Sequence, residues 1–493
     1  MPTLQSAIPD PVRRSSDAAA IAARMQRLPT TRFSWMIVFL VAGALVVEAL
    51  DIGTLGTILP VLRKALALTP HEIGLLAASS ALGIVLGMIP AGRLADRFGR
   101  KPLLIAGTLW FAGGTALAAL SPNFTFLLVV RGLSGLGMAA TFIMPYSIVS
   151  EFVSERSRTA FSGILETALG LGYLLPPILG LIIVPLVPMA IAWRVFFLAA
   201  SVPVLYIWVI WRYLPESPRW LSRVGRGEEA DRVLSAIEAR IERITGRPLP
   251  PPQLDPAVAV SASAPGLHFN DFLKVWQRPH RSRTIALIVG YFGTATLWYL
   301  SINYVPSIFV DRHIALSNAF LFTLVITAAQ IPGKLLNGVL GEIVGRKAVF
   351  AIFAIISMIG AYGFGHASST AAMVAFGSLI LFGSGGGAPC YKMWYAEIYP
   401  TPIRATGQST VESIGVRLFG GVIWSYLFPV LLARFGMSTT MIVVVALGIL
   451  SLVVVVIVVP ETYRRSVEQL ESDEAVLTTT PVVVAASGHR AAE

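Results

Sequence analysis

"GRLADRFGRK", residues Gly92–Lys101, sets four basic residues and one acid between two long apolar runs of a 493-residue chain. The pattern returns in "GVLGEIVGRK", residues 338–347, where each matching residue stands 246 positions further on. Asp96 becomes Glu342, and Arg100 becomes Arg346. A spacing that is kept across half of the chain indicates two related halves.

The composition places the chain in the membrane class, because 55% of its residues are hydrophobic, 13% are charged, and the mean hydropathy is +0.72. A helix that crosses a bilayer needs about 20 mostly apolar residues. The predicted fold is an all-α membrane protein of twelve transmembrane helices in two pseudo-symmetric six-helix bundles. The twelve predicted spans begin near Phe33, Glu72, Pro102, Phe124, Phe161, Trp193, Thr284, Ala319, Ala348, Thr370, Gly407 and Met437.

The predicted spans divide the chain into five segments. An N-terminal tail (1–32) precedes the first bundle (33–211), a central loop (212–283) leads to the second bundle (284–460), and a C-terminal tail (461–493) follows. The central loop contains "GEEADRVLSAIEARIERI", in which the spacing of apolar residues predicts an amphipathic surface helix.

The net charge of +11 is explained by membrane topology. Basic residues crowd the N-terminal tail, the central loop and the loops after even-numbered spans, which places both termini in the cytoplasm and gives no reason to expect nucleic acid. The single cysteine, Cys390, excludes a disulfide framework and a cysteine-based metal site. Because the histidines form no ligand cluster, we expect no metal, no cofactor and no enzymatic activity.

Further markers keep the 246-residue spacing: Pro60 becomes Pro306, and Glu166 becomes Glu412. The motifs "GRLADRFGRKPLL", "RGLSGLGMAA", "PESPRWL" (215–221) and "PET" (460–462) resemble those of the major facilitator superfamily. The resemblance covers nearly the whole chain. It implies two six-helix bundles around a central cavity that opens alternately to each side of the membrane.

The charged loops are predicted to form a cytoplasmic gate, in which Asp96 and the arginines beside it pair with Glu151, Arg158 and neighbouring helix ends. Ion pairs that form in one state and break in the other are suited to switching. The alternative is that these residues only set topology and anchor helix ends. The predicted gate residues are Gly92, Asp96, Arg97, Gly99, Arg100, Glu151, Arg158, Glu216, Glu342, Arg346, Glu397 and Arg404.

Spans 1 and 4 place three ionisable residues inside the membrane, where charges are costly and usually functional. At 1.5 Å per residue, Asp51 of span 1 and Arg131 of span 4 lie at similar depths, about 13 and 10 Å from the outer end, so the two can meet. Proton-coupled sugar porters place an acid and an arginine similarly, which implies a proton switch. The alternative is a static ion pair. Glu48 is either a second proton carrier or a solvated cavity residue.

The second half contributes cations, and these suggest an anionic substrate. Lys334 lies on a polar stripe of span 8 with Thr323, Thr327, Gln330 and Asn337, while Arg417 lies in span 11 on the face of Gly421 and Trp424. The alternative is that Lys334 pairs with Glu412, which leaves only Arg417 free. Aromatic side chains suit a flat ring. The predicted substrate site adds Trp298, Tyr299, Asn303, Tyr304, Tyr173, Tyr391, Trp394, Tyr395, Glu166 and Glu412.

"YAEIYPTPIRATG", residues 395–407, resembles the organic-ion and metabolite–proton symporter branch, which includes bacterial nicotinate and aromatic-acid transporters. Spans 5 and 7 lack the glutamines of sugar porters. The resemblance implies a monomeric proton symporter of the bacterial inner membrane that takes up a small organic anion, nicotinate first. The alternatives are an organic cation or drug transporter or exporter that uses Glu166 and Glu412, a sugar–proton symporter, and a receptor-like membrane protein without turnover.

Overall fold

The protein was studied as a computed structural model that describes residues 11–153, 158–252, 273–278, 280–399 and 403–463. For residues 11–18, 89, 158–159, 395–396 and 405 the description is limited to the backbone. Every regular element within these ranges is helical.

The first half contains the helices α1 to α11. They are α1 (Pro11–Gln26), α2 (Arg32–Ala65), α3 (Pro70–Phe98), α4 (Arg100–Ala119), α5 (Phe124–Phe152), α6 (Arg158–Gly172), α7 (Leu175–Leu186), α8 (Met189–Ser201), a 3₁₀ turn (Val202–Leu205), α9 (Tyr206–Tyr213), α10 (Pro218–Arg223) and α11 (Gly227–Thr245).

The second half contains α12 to α19 and one π-helix. They are α12 (His280–Asp311), α13 (Leu316–Ala328), α14 (Gln330–Gly341), α15 (Arg346–His366), α16 (Thr370–Ser384), α17 (Ala388–Ile398), α18 (Arg404–Val411), the π-helix (Glu412–Trp424) and α19 (Ser425–Val458).

Eleven helices of the described chain are long and apolar enough to cross a membrane. The last of them, Thr406–Val458, has 53 residues, about twice what one crossing requires. Its backbone leaves the helical region at Gly436, where φ is 76° and ψ is 174°. This stretch therefore makes two crossings, and the predicted all-α fold of twelve spans is confirmed. The protein is a multi-pass membrane protein.

Five of the twelve spans are interrupted within their length, and one of them is span 6, with its 3₁₀ turn between α8 and α9. Span 5 breaks between α6 and α7, span 8 at Ala329 between α13 and α14, and span 10 at Gly385–Gly387 between α16 and α17. Span 11 widens into the π-helix. Interrupted helices and π-helical segments are common where membrane proteins bind ligands, because they free backbone groups and re-aim side chains.

The two halves meet at the end of the bundle remote from α1, which we call the distal end. Arg63 Nη1 donates to Asp311 Oδ1 at 2.8 Å, and Tyr426 Oη lies 2.7 Å from His71 Nδ1. At Gly56 of α2 an added Cβ would lie 2.2 Å from a backbone oxygen of α12. Only a glycine allows the two helices to approach this closely, so the halves are in direct backbone contact there.

The N-terminal tail contains a helix that the sequence analysis did not predict. Helix α1 packs on α10 and α11, with Ile21 and Met25 buried between them. Arg24 Nη2 and Arg27 Nη2 each donate to the Glu238 carboxylate at 2.7 Å. Burial raises the pKa of Glu238, but these hydrogen bonds outweigh it and hold that pKa below the ordinary value. The charged stretch of the central loop forms α11, and residues 253–272 of that loop lie outside the described residues.

Candidate functional site

Asp51 and Arg131 form a fully buried ion pair between α2 and α5. Arg131 Nη1 lies 2.9 Å from Asp51 Oδ2 and 3.1 Å from Oδ1. Thr115 of α4 donates its hydroxyl to Asp51 Oδ1, and the Arg131 guanidinium stands 5.7 Å from the ring centroid of Phe197. Two groups that are 80 residues apart in the sequence thus contact each other, as the helix rise allowed.

Glu48 lies one helical turn before Asp51 and is also fully buried. Within the described part of the chain, neither of its carboxylate oxygens has a hydrogen-bond partner. A buried carboxylate without donors is costly as an anion, and taking up a proton removes that cost. The two acids of span 1 therefore stand in different surroundings, one paired with a cation and one not.

A cavity of about 80 Å³ lies between the halves at the interrupted spans. Its walls contain three cations, two carboxylates and several aromatic rings. Tyr173 and Trp298 pack edge to face with ring centroids 5.1 Å apart, and Tyr291 and Tyr391 at 4.5 Å. The charged and aromatic lining residues are Lys334, Lys392, Arg417, Glu166, Glu412, Phe142, Tyr173, Tyr291, Trp298 and Tyr391.

Glu166 of α6 connects to two lysines of the opposite half. Lys334 Nζ lies 3.2 Å from Glu166 Oε2 and donates to its backbone oxygen at 2.7 Å. Lys392 Nζ bonds Glu166 Oε1, which also accepts from the Tyr146 hydroxyl. Lys334 therefore contacts Glu166 and not Glu412, so the pairing considered as an alternative from the sequence is wrong in this structure.

Arg417 of the π-helix is held by neutral groups. Its Nη1 donates to the Tyr299 hydroxyl at 2.9 Å, and its guanidinium lies 4.4 Å from the ring centroid of Phe142. Among the described residues no carboxylate lies within 4.0 Å of it, and its Nε has no hydrogen-bond partner. A buried guanidinium without an anion in contact is a candidate ligand for a carboxylate from solution.

Several residues predicted for the substrate site lie elsewhere. Asn303 and Tyr304 bond to Ser425, further toward the distal end, because the cavity touches α12 one to two turns nearer its start. Gln330 bonds the backbone of its own span at Thr327, next to the break at Ala329. The indole of Trp394 donates to the backbone of Pro460 and is buried away from the cavity. The side chain of Tyr395 lies outside the described set.

Three polar residues of the predicted span 8 stripe are buried within the second half. The hydroxyl of Thr323 bonds the backbone of its own helix, and Asn337 donates to the backbone of Gly387 at 3.5 Å. Thr327 is buried as well. Of the five stripe residues, Lys334 lines the cavity. Trp424 packs against Phe292, and an added Cβ at Gly421 would lie 2.8 Å from the ring of Tyr299.

Lys392 and Tyr146 are two residues of the site that the sequence analysis missed, and Phe142 and Tyr291 of the cavity wall are two others. Lys392 Nζ lies 3.1 Å from the Tyr146 hydroxyl, and the two positions are 246 residues apart, so they are equivalents in the internal repeat. Glu166 and Glu412 are equivalents with the same spacing. The signal that could have found Lys392 is its charge within the apolar span Thr370–Trp394, because ionisable residues inside a membrane are usually functional.

The charged loop of the first half forms a cluster around Arg100. Its Nε lies 3.2 Å from Glu151 Oε1, its Nη2 lies 3.3 Å from Asp96 Oδ1, and its backbone N–H donates to Glu216 Oε1 at 3.1 Å. Burial raises the pKa of Glu216, opposed by the backbone N–H donors around it. Gly99, with φ of 102°, takes a conformation that side chains rarely adopt, and an added Cβ would lie 2.4 Å from Glu216.

The second half repeats this cluster around Arg346. Its Nη2 lies 2.9 Å from Glu397 Oε1 and 3.0 Å from Glu342 Oε1, and its backbone N–H donates to Glu461 Oε1 at 3.0 Å. Gly345, with φ of 93°, takes the place of Gly99.

The predicted gate residues thus pair within each half, and not from one half to the other in the contacts described above. Arg97 is exposed with its guanidinium over the Phe98 ring, and an added Cβ at Gly92 would meet open space. Arg404 donates to the Tyr399 backbone oxygen at 3.2 Å. The side chain of Arg158 lies outside the described set. No group of histidine, cysteine and acidic residues suited to a metal occurs in the described ranges.

Twelve membrane-spanning helices surround a central cavity that is lined by ion pairs and aromatic rings, and this is the architecture of an integral membrane transporter. The sequence profile of the family described as "Sugar (and other) transporter" matches residues 36–473. The chain belongs to this family of the major facilitator superfamily, and it is a transporter and not an enzyme.

The chain is similar in sequence to several bacterial transport proteins. The chain is 30% identical to the "Niacin transporter NiaP" of Acinetobacter baylyi over 80% of this chain and 87% of that protein. It is 27% identical to the "4-hydroxybenzoate transporter PcaK" of Pseudomonas putida over 80% and 86%. The inward-open structure of the xylose transporter XylE from Escherichia coli matches with a TM-score of 0.71 and 18% identity over 89% of this chain and 99% of that one. That likeness establishes the shared fold.

Proposed function

We propose that the protein takes up a small organic anion by proton-coupled symport, with nicotinate as the first candidate, through alternating access of the central cavity. The observation that carries the proposal is the composition of the cavity wall: three cations face two carboxylates among aromatic rings, and Arg417 has no carboxylate in contact among the described residues. One bound monocarboxylate balances the charge of this wall.

Nicotinate fits the proposed site by its chemistry, because it is flat, aromatic and anionic at neutral pH. Its carboxylate is assigned to Arg417, whose Nε has no hydrogen-bond partner in the described part of the chain, and its ring to the pair of Tyr173 and Trp298. The names of two relatives, a niacin transporter and a 4-hydroxybenzoate transporter, support a substrate of this class.

The proton is assigned to span 1. Protonation of Asp51 removes the charge that holds Arg131, which frees α2 and α5 to move relative to each other. Glu48 is the second candidate proton carrier, since it is buried without a donor among the described residues. Transfer between these two acids, one turn apart on α2, is part of the proposal.

The orientation in the membrane is proposed from charge topology, and the bacterial inner membrane and the monomeric state are proposed with it. We place both termini, the central loop and the Arg100 and Arg346 clusters on the cytoplasmic side of a bacterial inner membrane, in a monomer. We assign both clusters to the cytoplasmic gate, because each cluster connects the ends of several helices.

The test is uptake of radiolabelled nicotinate into proteoliposomes, with and without an inward proton gradient, for the wild type and Asp51→Asn. We expect gradient-driven accumulation in the wild type and exchange without accumulation in the variant. Accumulation that does not depend on the gradient would contradict the coupling. An excess of unlabelled xylose serves as a competitor, because the family profile and the fold are shared with sugar transporters.

An organic cation is the second candidate substrate. Glu412 lines the cavity without an ion pair to any described residue, and it is the acid that a cation would use. Uptake of tetraethylammonium that is lost in Glu412→Gln, without uptake of nicotinate, would favour this function over the first.

A further inference from the structure

One carboxylate ties the two halves together across the cavity. Glu166 belongs to α6 of the first half, whereas its partners Lys334 on α14 and Lys392 on α17 belong to the second. Each carboxylate oxygen faces a different ammonium group, and the three side chains are largely or fully buried. This is the arrangement expected for a carboxylate bound as a ligand by two lysines.

The cavity beside this bridge is too small for the proposed substrate. Its volume is about 80 Å³, against the roughly 300–1,000 Å³ of sites that enclose small molecules. Both lysines line it, and both are occupied by Glu166. An aromatic acid therefore enters only when the halves separate, and separation breaks the contacts of Glu166.

We propose that Glu166 is an internal substitute for the carboxylate of the substrate. In the ligand-free protein it holds Lys334 and Lys392; an incoming monocarboxylate displaces it from the lysines and releases the bridge between the halves. The inference rests on the proposed function in one respect, that the ligand is a monocarboxylate. The inference adds two things to the proposed function: an internal competitor that the ligand must displace, and two further cations that bind the ligand.

This exchange would give substrate binding a direct effect on the equilibrium between conformations. A ligand shifts such an equilibrium only by binding one state better than another. In the closed, ligand-free state Glu166 contacts the two lysines, whereas in the binding-competent state these contacts are broken. The measured affinity is then reduced by the fraction of protein that is closed, and removal of the internal carboxylate should restore it.

The chain offers a matched control for this test. Glu412 is the repeat equivalent of Glu166, lies in the same cavity wall and is buried, but it forms no ion pair with the described residues. Replacing either acid with glutamine removes one negative charge from the same cavity. Only the first replacement releases two lysines.

The experiment is equilibrium binding of radiolabelled nicotinate to the purified full-length protein in nanodiscs. We expect Glu166→Gln to bind about tenfold more tightly than the wild type, and Glu412→Gln to show no such gain. Glu166→Asp, which shortens the side chain by one methylene, should give a smaller gain and replaces the glutamine variant if that one folds poorly. Equal or weaker binding by both Glu166 variants would overturn the inference.

A second measurement separates this inference from the proposed function. Spin labels at Phe98→Cys and Val344→Cys, exposed repeat equivalents in the two halves, report the distance between the halves without any ligand. Glu166→Gln should shift this distance distribution and Glu412→Gln should not. If no variant binds nicotinate, the proposed function fails. The spin-label distances then test the Glu166 bridge alone, and a distribution that does not shift in Glu166→Gln overturns it. Binding by Glu166→Gln alone supports the competition and removes nicotinate as the wild-type substrate.

Discussion

Replacing Asp51 with asparagine removes the charge that faces Arg131 while the size of the side chain is kept. Arg131 Nε and Nη2 have no hydrogen-bond partner among the described residues, so its charge is compensated by Asp51 with the help of the Thr115 hydroxyl and the Phe197 ring. Removing one partner of a buried ion pair costs about 3–5 kcal/mol. The asparagine oxygen still accepts one hydrogen bond worth about 1 kcal/mol, which leaves a loss of about 2–4 kcal/mol.

This loss is measured as a change in melting temperature. At about 2–4 °C per kcal/mol for a unit the size of one six-helix half, the purified variant should melt roughly 5–15 °C below the wild type. Glu48→Gln is the matched control, because it neutralises an equally buried acid one turn away that has no described donor. It should melt at or above the wild-type temperature. The double variant Asp51→Asn/Arg131→Gln should regain part of the loss.

The reasoning is refuted if Asp51→Asn melts within about 1 °C of the wild type, since an uncompensated guanidinium in this position would then carry no cost. It is equally refuted if the double variant is less stable by the sum of the two single losses, because independent sites add whereas paired sites do not.

Three further outcomes are expected. Arg417→Gln should raise the dissociation constant for nicotinate about 10- to 100-fold in scintillation-proximity binding, as a charge-assisted hydrogen bond of about 1.5–3 kcal/mol is lost; an unchanged constant would exclude direct contact. Gly99→Ala should lower stability by about 1–3 kcal/mol, because the backbone conformation is unfavourable and the new Cβ approaches Glu216, whereas Gly92→Ala should melt as the wild type does. The lowered pKa of Glu238 means that its contribution to docking α1 is complete above its unfolded value of about 4.3 and is lost as the pH falls through the folded value; limited proteolysis should release α1 at neutral pH in Glu238→Gln but only at a pH below that unfolded value in the wild type.

Depth could be predicted from the sequence where helices are continuous. Asp51 and Arg131 lie on α2 and α5, which run without interruption, so a count of residues from the helix end converts directly into a height in the membrane. The contact follows from that count. The repeat likewise predicted both charged clusters, because their positions are fixed by short loops between continuous helices.

The same count fails beyond a helix break. Lys392 follows the glycines at 385–387, and Lys334 follows the break at Ala329, so neither height could be obtained from the start of its span. The internal repeat did not help, because the equivalent of Lys392 is a neutral tyrosine and the equivalent of Glu166 is another acid. Glu166 and Glu412 are equivalent, and which of them contacts a lysine depends on how the two halves pack against each other. That packing is a property of the assembled structure.

The clusters around Arg100 and Arg346 bear on how such a molecule arises. Each is complete within its own half: the arginine, its acids and the acid after the sixth helix all come from one copy of the repeat. If a gene that encoded six helices with this cluster was duplicated, each copy already had the ion pairs that stabilise its own six helices. Sequence change in the two copies is then free to concentrate on the surface where they face each other, and there the equivalent positions Tyr146 and Lys392 carry a phenol and an ammonium group.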